Sequence, residues 1–358
     1  MKILHVITSL YTGGAETLVV DLIPRFRALA HEVDLVVFNG VHTALMERLV
    51  KECPDCKIYR LGNSFYNPWY IVKLVRIMRK YDIIHTHNSS PQLYAAIANF
   101  FCGKKLLTTE HNTNNRKRGN WMLSIIDKWM YTRYNKVICI SDQAESNLYD
   151  YLGENVVHKD TICTIYNGVD IEMIDAAPPL DNIVRNRFLI VMVAAFRPQK
   201  DQMTLIKAIA QLPKGEFELW LVGDGECKKA MEDEVERMEL QNCVKFLGLR
   251  TDVPRILKTA DIIVMSTHYE GLSLSNIEGM AAGKPFVASD VEGIHEVTDG
   301  YGVLFPHEEV DALAKIILQL HDDKLYYQQI ADKCYKRAKQ FDIREMVNKY
   351  NRVYLCLS

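Results

Sequence analysis

Short apolar runs alternate along this chain with longer stretches whose apolar residues recur at helical spacing. In the first half the strand-like runs are KILHVIT (2–8), EVDLVVF (32–38), DIIHTH (82–87), KLLTTE (105–110), KVICIS (136–141) and TICTIY (161–166). Helix-period stretches at 15–29, 68–80, 90–101 and 121–133 separate them. This alternation predicts βαβ units around a buried parallel sheet. NGVDIEMIDAAPPLDN (167–182) breaks the pattern with glycine, two prolines and few apolar residues, and is read as a linker. A second series follows: strands at 187–196, 217–225, 244–249, 260–266, 285–290 and 302–305, and helices at 201–211, 227–239, 275–282, 308–321 and 323–340. An amphipathic helix at 343–357 ends the chain. The expectation is an α/β protein of two doubly wound domains, 1–170 and 171–342, facing each other across a cleft. Ligands of such sheets sit beyond the carboxyl ends of the strands, where every loop singled out below begins.

Composition narrows the function classes. At 358 residues, 48% hydrophobic and 25% charged, the chain is globular and long enough for two cores. A net charge of −2 argues against nucleic acid as a partner. Residues 1–170 hold 20 Lys and Arg against 16 Asp and Glu, and the remainder 23 against 29. A mildly basic first half suits an anionic surface or ligand, although chance also produces an imbalance of this size. The nine cysteines fall mostly inside apolar runs, such as Cys139 and Cys163, as in a reduced cytosolic protein. Cys53-x-x-Cys56 lacks a second pair, so no zinc site is expected. The apolar start is too short for a signal peptide, and no run reaches the roughly 18 apolar residues of a membrane span. The expected location is the cytoplasm, with at most a peripheral contact to the inner face of the cytoplasmic membrane.

Several strand-end loops carry candidate chemistry. Gly13 and Gly14 let a ligand approach the start of helix 15–29, whose free N–H groups attract anions. The loop is not the G-x-G-x-x-G dinucleotide fingerprint. HTHNSS delivers His87 and Asn88 to a strand end. TTEHNTNNRKRGNW (108–121) places His111 in a polar loop, with Arg116 to Arg118 available for phosphate or lipid head groups. Arg197 and Lys200 lie three apart at a strand-to-helix turn, a pair suited to a diphosphate, and Asp201 can cap the helix after them. LVGDGE puts Gly223 and Gly225 at the next strand end, as a ligand loop or as a plain turn.

HYEGLSLSNIEGMAAGKP (268–285) holds two glutamates, Glu270 and Glu278. Ser275-x-x-Glu278 fits a capping box, which explains Glu278 locally and leaves Glu270 unexplained. A carboxylate is the natural bidentate acceptor for vicinal hydroxyls, so each glutamate could hold one sugar, with the N–H groups of GLSLS between them.

These residues resemble a known pattern. EGLSLSNIEGMAAGKPFVAS is similar to the E-x7-E segment of family 4 retaining glycosyltransferases, which have the two-domain GT-B fold. TGGAE, TTEHN, YNGVD, FRPQKD and LVGDG resemble that family's other segments in the same order, and 343–358 resembles its final helix, which crosses back onto the first domain. The resemblance implies that Glu278 binds ribose hydroxyls and Glu270 the transferred sugar. It implies donor contacts from Gly271, Leu272, Ser273, Leu274 and Ser275, from Gly14 and Gly223, and from Leu249 near the nucleobase. Arg197 and Lys200 would neutralise the diphosphate, and His111, Glu270 and Lys200 would form the catalytic set. Gly13, Asn88 and Arg116 are expected on the acceptor side. The family often has arginine two residues before the position of Arg197, where this chain has Ala195. Either Arg197 takes over that role or Lys200 acts alone.

The function so implied is transfer of a hexose or N-acetylhexosamine from a nucleoside-diphosphate sugar, UDP favoured, to a saccharide or lipid-linked saccharide in polysaccharide or glycoconjugate synthesis. No cofactor or metal is expected, since no D-x-D motif stands in a suitable place. A sugar-nucleotide epimerase of the same fold would need further acid/base carboxylates, and a phosphorylase a far longer chain. A hydrolase using Glu270 and Glu278 as acid and base does not account for the diphosphate loop. A two-lobed sugar-binding protein without catalysis would be secreted, against the absence of a signal peptide.

Overall fold

The computed structural model describes residues 1–11, 13–111, 121–154, 156–181, 186–270 and 273–357. Its contacts divide the chain into two units, Met1–Asn167 with Met346–Ser358, and Gly168–Glu345. The first unit contains β1 (Lys2–Ile7), β2 (Glu32–Asn39), β3 (Ile58–Gly62), β4 (Ile83–His87), β5 (Lys105–Glu110), β6 (Lys136–Cys139) and β7 (Ile162–Thr164). They form one parallel sheet in the order β3-β2-β1-β4-β5-β6-β7. The central strands are buried on both faces, which their near-continuous apolar sequences require. Helix Gly14–Ala28 covers the sheet with Leu18, Val19, Leu22, Ile23 and Phe26, spaced three and four apart so that one stripe faces inward.

Three elements of this unit were not legible in the pattern. Edge strand β3 buries only Leu61 fully, so its alternation is weak. Helix Ala44–Glu52 is short and starts where Thr43 Oγ1 accepts the Met46 N–H at 3.3 Å. Helix Asp142–Leu152 begins likewise at Ser141, whose Oγ accepts the Ala144 N–H at 3.1 Å.

The second unit contains β8 (Phe188–Val193), β9 (Phe217–Val222), β10 (Val244–Gly248), β11 (Ile262–Met265), β12 (Phe286–Ser289) and β13 (Val303–Phe305). Their parallel order is β10-β9-β8-β11-β12-β13. Part of the expected linker is built into this unit. Val169 and Asp342 form a bridge, and the Val169 and Ile343 N–H groups donate to Phe341 and Val169 carbonyls at 2.9 Å. Helix Ile171–Ala176 follows, capped by Asp170. The division therefore falls at Asn167 and Gly168, three residues before the expected boundary, and Ile343–Glu345 go with the second unit. Helix Ile343–Leu357 then buries Met346, Val347, Tyr350 and Tyr354 within the first unit.

Each sheet reverses its winding once. The chain fills β2 and β3 on one side of β1 and then returns to β4 on the other; in the second unit it reverses between β8 and β11. At such a switch point the loops leaving the two central strands diverge and open a crevice at their carboxyl ends. Gly13, Gly14 and Asn88 follow β1 and β4, with His87 the last residue of β4, whereas Arg197, Lys200 and Glu270 follow β8 and β11.

Candidate active site

In the second unit the turn after β8 is laced to the loop after β11. The His268 N–H donates to the Gln199 carbonyl at 2.8 Å, Gln199 Nε2 to the Tyr269 carbonyl at 2.7 Å, and Ser266 Oγ to the Asp201 carbonyl at 2.7 Å. Asp201 takes a left-handed conformation, φ +43° and ψ +52°, and its Oδ1 accepts the Thr204 N–H at 3.2 Å, so it caps the following helix as expected. This lacing brings Lys200 Nζ into an ion pair with Glu270 Oε1. Both side chains are largely covered, at 17% and 8% exposure. Thr267 Oγ1 donates to the same carboxylate oxygen at 3.1 Å. Among the described residues nothing is bonded to Glu270 Oε2, which leaves its lone pairs for a ligand hydroxyl. Arg197 is exposed beside this pair in sequence and forms no side-chain bond among the described residues.

Helix Leu274–Ala281 starts earlier than the capping-box reading requires. Its N-cap is Ser273, which makes no side-chain cap bond, and Ser275 lies inside the first turn. The box is therefore absent, because Ser275 already has helical neighbours on both sides. Leu274, Ser275 and Glu278 all belong to this helix, while Gly271, Leu272 and Arg116 lie outside the described residues. Asn276, which the motif reading passed over, is fully buried, and neither of its amide atoms is hydrogen-bonded among the described residues. At Gly279 an added Cβ would stand 2.8 Å from Phe286 Cδ2, so a glycine lets this helix lie close on its sheet. At Gly223, φ is +143° and a Cβ would meet the Ala194 carbonyl oxygen at 2.1 Å. Packing between strand ends alone thus demands that glycine. Leu249 is 68% exposed just after β10.

In the first unit, Gly13 is extended and precedes helix Gly14–Ala28 without a side-chain cap. A Cβ at Gly14 would meet nothing within 4 Å, so open space fronts the helix start. Glu16, in the first turn, is pushed above the usual carboxylate range by burial, opposed by its own N–H and by Asn88. Asn88 has φ +69° and donates from Nδ2 to Thr8 Oγ1 at 3.2 Å and Glu16 Oε1 at 3.5 Å, tying the two switch-point loops together. Such a φ is costly for a residue other than glycine and persists only where its surroundings hold it.

His111 directly follows β5, outside any helix or strand, and is half-buried; the rest of its loop lies outside the described residues. Its Nε2 lies 3.0 Å from His87 Nδ1, and His87 Nε2 lies 3.0 Å from His5 Nδ1. Strand register explains the grouping: His5 pairs with His85, His87 with Thr109, and residues two apart on β4 share a face. Burial lowers His111 to about 4 and His5 to about 3, and holds His85 and His87 well below the usual imidazole value. All four rings are neutral at pH 7. His5, His85, Thr109, Tyr350 and Tyr354 were missed in the sequence; the signal was polar side chains within otherwise apolar strands for the first three, and two tyrosines four apart on helix Ile343–Leu357 for the others.

Residues 12–173 match the family model described as Glycosyltransferase Family 4, and residues 177–341 match Glycosyl transferases group 1. An uncharacterized glycosyltransferase of Methanocaldococcus jannaschii is 26% identical over 358 residues, 97% of this chain and 96% of its own. The UDP-Gal:alpha-D-GlcNAc-diphosphoundecaprenol alpha-1,3-galactosyltransferase of Escherichia coli is 25% identical over 310 residues, 80% of this chain and 78% of that protein. The crystal structure of Anabaena HepE in complex with UDP-glucose is similar with a TM-score of 0.86 at 24% identity, covering 99% of this chain and 100% of that one. The two family matches adjoin near the division between the units and together run from residue 12 to residue 341, so the chain belongs to the family 4 glycosyltransferases, enzymes of the GT-B fold.

Proposed function

We propose that this glycosyltransferase moves a hexose or N-acetylhexosamine from a UDP-sugar to a hydroxyl of a saccharide or lipid-linked saccharide, retains the anomeric configuration, and needs no metal ion. The observation that carries the proposal is the covered Lys200–Glu270 pair at the β8–β11 switch point, with one carboxylate oxygen open. The chemical difficulty is charge. As the bond from the anomeric carbon to the diphosphate lengthens, the phosphate oxygens gain negative charge and the sugar becomes oxocarbenium-like. Lys200 and Arg197 stabilise the first, and a pre-placed ammonium does so without reorganising at the moment of reaction. Glu270 Oε2 grips a sugar hydroxyl, and Glu278 the ribose. The acceptor oxygen bonds to the anomeric carbon on the face the diphosphate leaves, and its proton passes to the departing phosphate oxygen.

UDP is favoured because HepE is described with UDP and with UDP-glucose, and the E. coli relative is named for a UDP-Gal donor and a diphosphoundecaprenol acceptor. A peripheral contact with an anionic membrane surface is supported by helix Trp121–Tyr131, which exposes Trp121, Leu123, Ile125 and Ile126, with Phe100 and Phe101 also exposed in the same unit. No helix among the described residues is long and apolar enough to cross a membrane.

The test is transfer from α-configured UDP-hexoses and UDP-N-acetylhexosamines to a diphospholipid-linked saccharide, with and without EDTA, and the product linkage read by NMR. An α-linked product formed equally in EDTA is expected. A β-linkage, or activity abolished by EDTA and restored by a divalent ion, would overturn the corresponding part of the proposal.

A further inference from the structure

The histidines beside His111 belong to one unbranched hydrogen-bond chain within the first unit. From the buried end, Tyr350 Oη lies 3.0 Å from Thr109 Oγ1, which lies 2.8 Å from His85 Nε2. His85 Nδ1 lies 2.7 Å from Tyr354 Oη, which lies 3.4 Å from His5 Nε2. His5 and His87 then lead to His111 through the two 3.0 Å nitrogen contacts. Tyr350, Thr109, His85, Tyr354, His5 and His87 are all fully buried.

A chain of neutral imidazoles and hydroxyls has one proton per member, one more than it has links. Each inner ring donates on one side and accepts on the other, and a hydroxyl that accepted from both sides would leave its own buried hydrogen without a partner. If they pointed toward Tyr350, its hydroxyl hydrogen would need an acceptor beyond the chain. Tyr350 has none among the described residues, and a buried orphan O–H costs about 1–3 kcal/mol. If they point toward His111, every buried proton has an acceptor. The one left over is on His111 Nδ1, which has no partner among the described residues and belongs to the half-buried ring at the chain's open end.

We infer that Tyr350 and Tyr354, through His85, His5 and His87, hold His111 as the Nδ1–H tautomer, so that its outward nitrogen donates a hydrogen bond and cannot act as a base. This rests on the proposed function only in taking His111 to face the reacting sugar. A ring fixed in this way offers a hydrogen bond to a ligand hydroxyl and takes no proton from it. Tyr350 and Tyr354 are positioning residues, acting on the sugar only through the rings between. Of the six ring nitrogens of His5, His85 and His87, one from each residue lies within 4.8 Å of the other two, a spacing a metal ion could use. All six already have hydrogen-bond partners, so the network accounts for them without an ion.

The experiment is a histidine-selective long-range 15N–1H spectrum of the full chain at pH 7, with the eleven histidines assigned through single His→Gln variants. His5, His85, His87 and His111 are all expected protonated at Nδ1, the less common tautomer of free imidazole. Tyr354→Phe keeps the aromatic packing on Phe26 and cuts the chain between His85 and His5. It should return His111 to mixed tautomers and lower kcat at least about tenfold with the donor KM little changed. An Nε2–H signal for His111 in the wild type overturns the inference, as does one equivalent of metal retained through purification. So does a His111 signal unmoved by Tyr354→Phe. The expected tautomers in a protein that turns over no UDP-sugar would sustain the inference and refute the proposed function instead.

Discussion

Acid should unfold the first unit well before the second. His5, His85, His87 and His111 are kept neutral by burial, whereas in an unfolded chain each titrates near 6.5. A depressed imidazole contributes stability that is fully present above pH 6.5 and is lost as pH falls toward the folded values, because the unfolded chain then binds more protons. Between pH 7 and 5.5 the loss is about 1 kcal/mol per ring, so about 4 kcal/mol for the four together. Against a typical domain stability of about 5–15 kcal/mol, this is a large fraction. Glu16 and Asp21, both pushed up by burial, act in the opposite sense and return part of the loss as pH approaches their raised values. The assay is urea denaturation at several pH values, read by hydrogen exchange in peptides from β1 and β4 and in peptides from β8 and β11. The first pair should lose its protection at lower urea as pH falls to 5.5, while the second moves far less. His5→Gln should remove about 1 kcal/mol of that pH dependence. A urea midpoint for β1 and β4 that is flat between pH 7 and 5.5 would refute the reasoning.

Other substitutions probe the second unit. Lys200→Ala leaves the Glu270 carboxylate covered and unpaired, so thermal unfolding should show a loss of about 3 kcal/mol; adding Glu270→Gln should recover part of it. Gly223→Ala must relieve a 2.1 Å approach to the Ala194 carbonyl at φ +143°, and should cost several kcal/mol in a urea titration. Asp201→Ala loses a helix cap and places alanine in the left-handed region, for about 1–2 kcal/mol, whereas Asp201→Asn should be nearly neutral.

Fold class was readable because periodicity reports burial. Strands buried on both faces show as unbroken apolar runs, and the helices between them as stripes. What escaped was weakly patterned for physical reasons: β3 is a half-exposed edge, and Ala44–Glu52 spans little more than two turns. The 167–182 segment looked like a linker because a glycine and two prolines interrupt it and few apolar residues fill it, yet Val169 is bonded to residues 341 and 343, a pairing no local window contains. Ser275 and Glu278 showed capping-box spacing, but spacing does not say where a helix begins, and Ser273 occupies the cap position. The pairing of Lys200 with Glu270 depends on β8 and β11 being neighbours in the sheet, which sequence order conceals. His5, His85 and His87 were invisible as a group for the same reason, since register between β1 and β4 brings them together.

The central claim is that Lys200, Glu270 and Glu278 form a nucleotide-sugar site, and titration calorimetry with UDP-, GDP- and ADP-sugars tests it most directly. One donor, UDP-linked by the account, should bind at one site per chain. Glu278→Ala should weaken that binding at least about tenfold, the cost of one lost charge-assisted hydrogen bond. Lys200→Ala should bind the same donor yet transfer its sugar far more slowly. Absence of binding to every nucleotide sugar, or binding unchanged in Glu278→Ala, would contradict it.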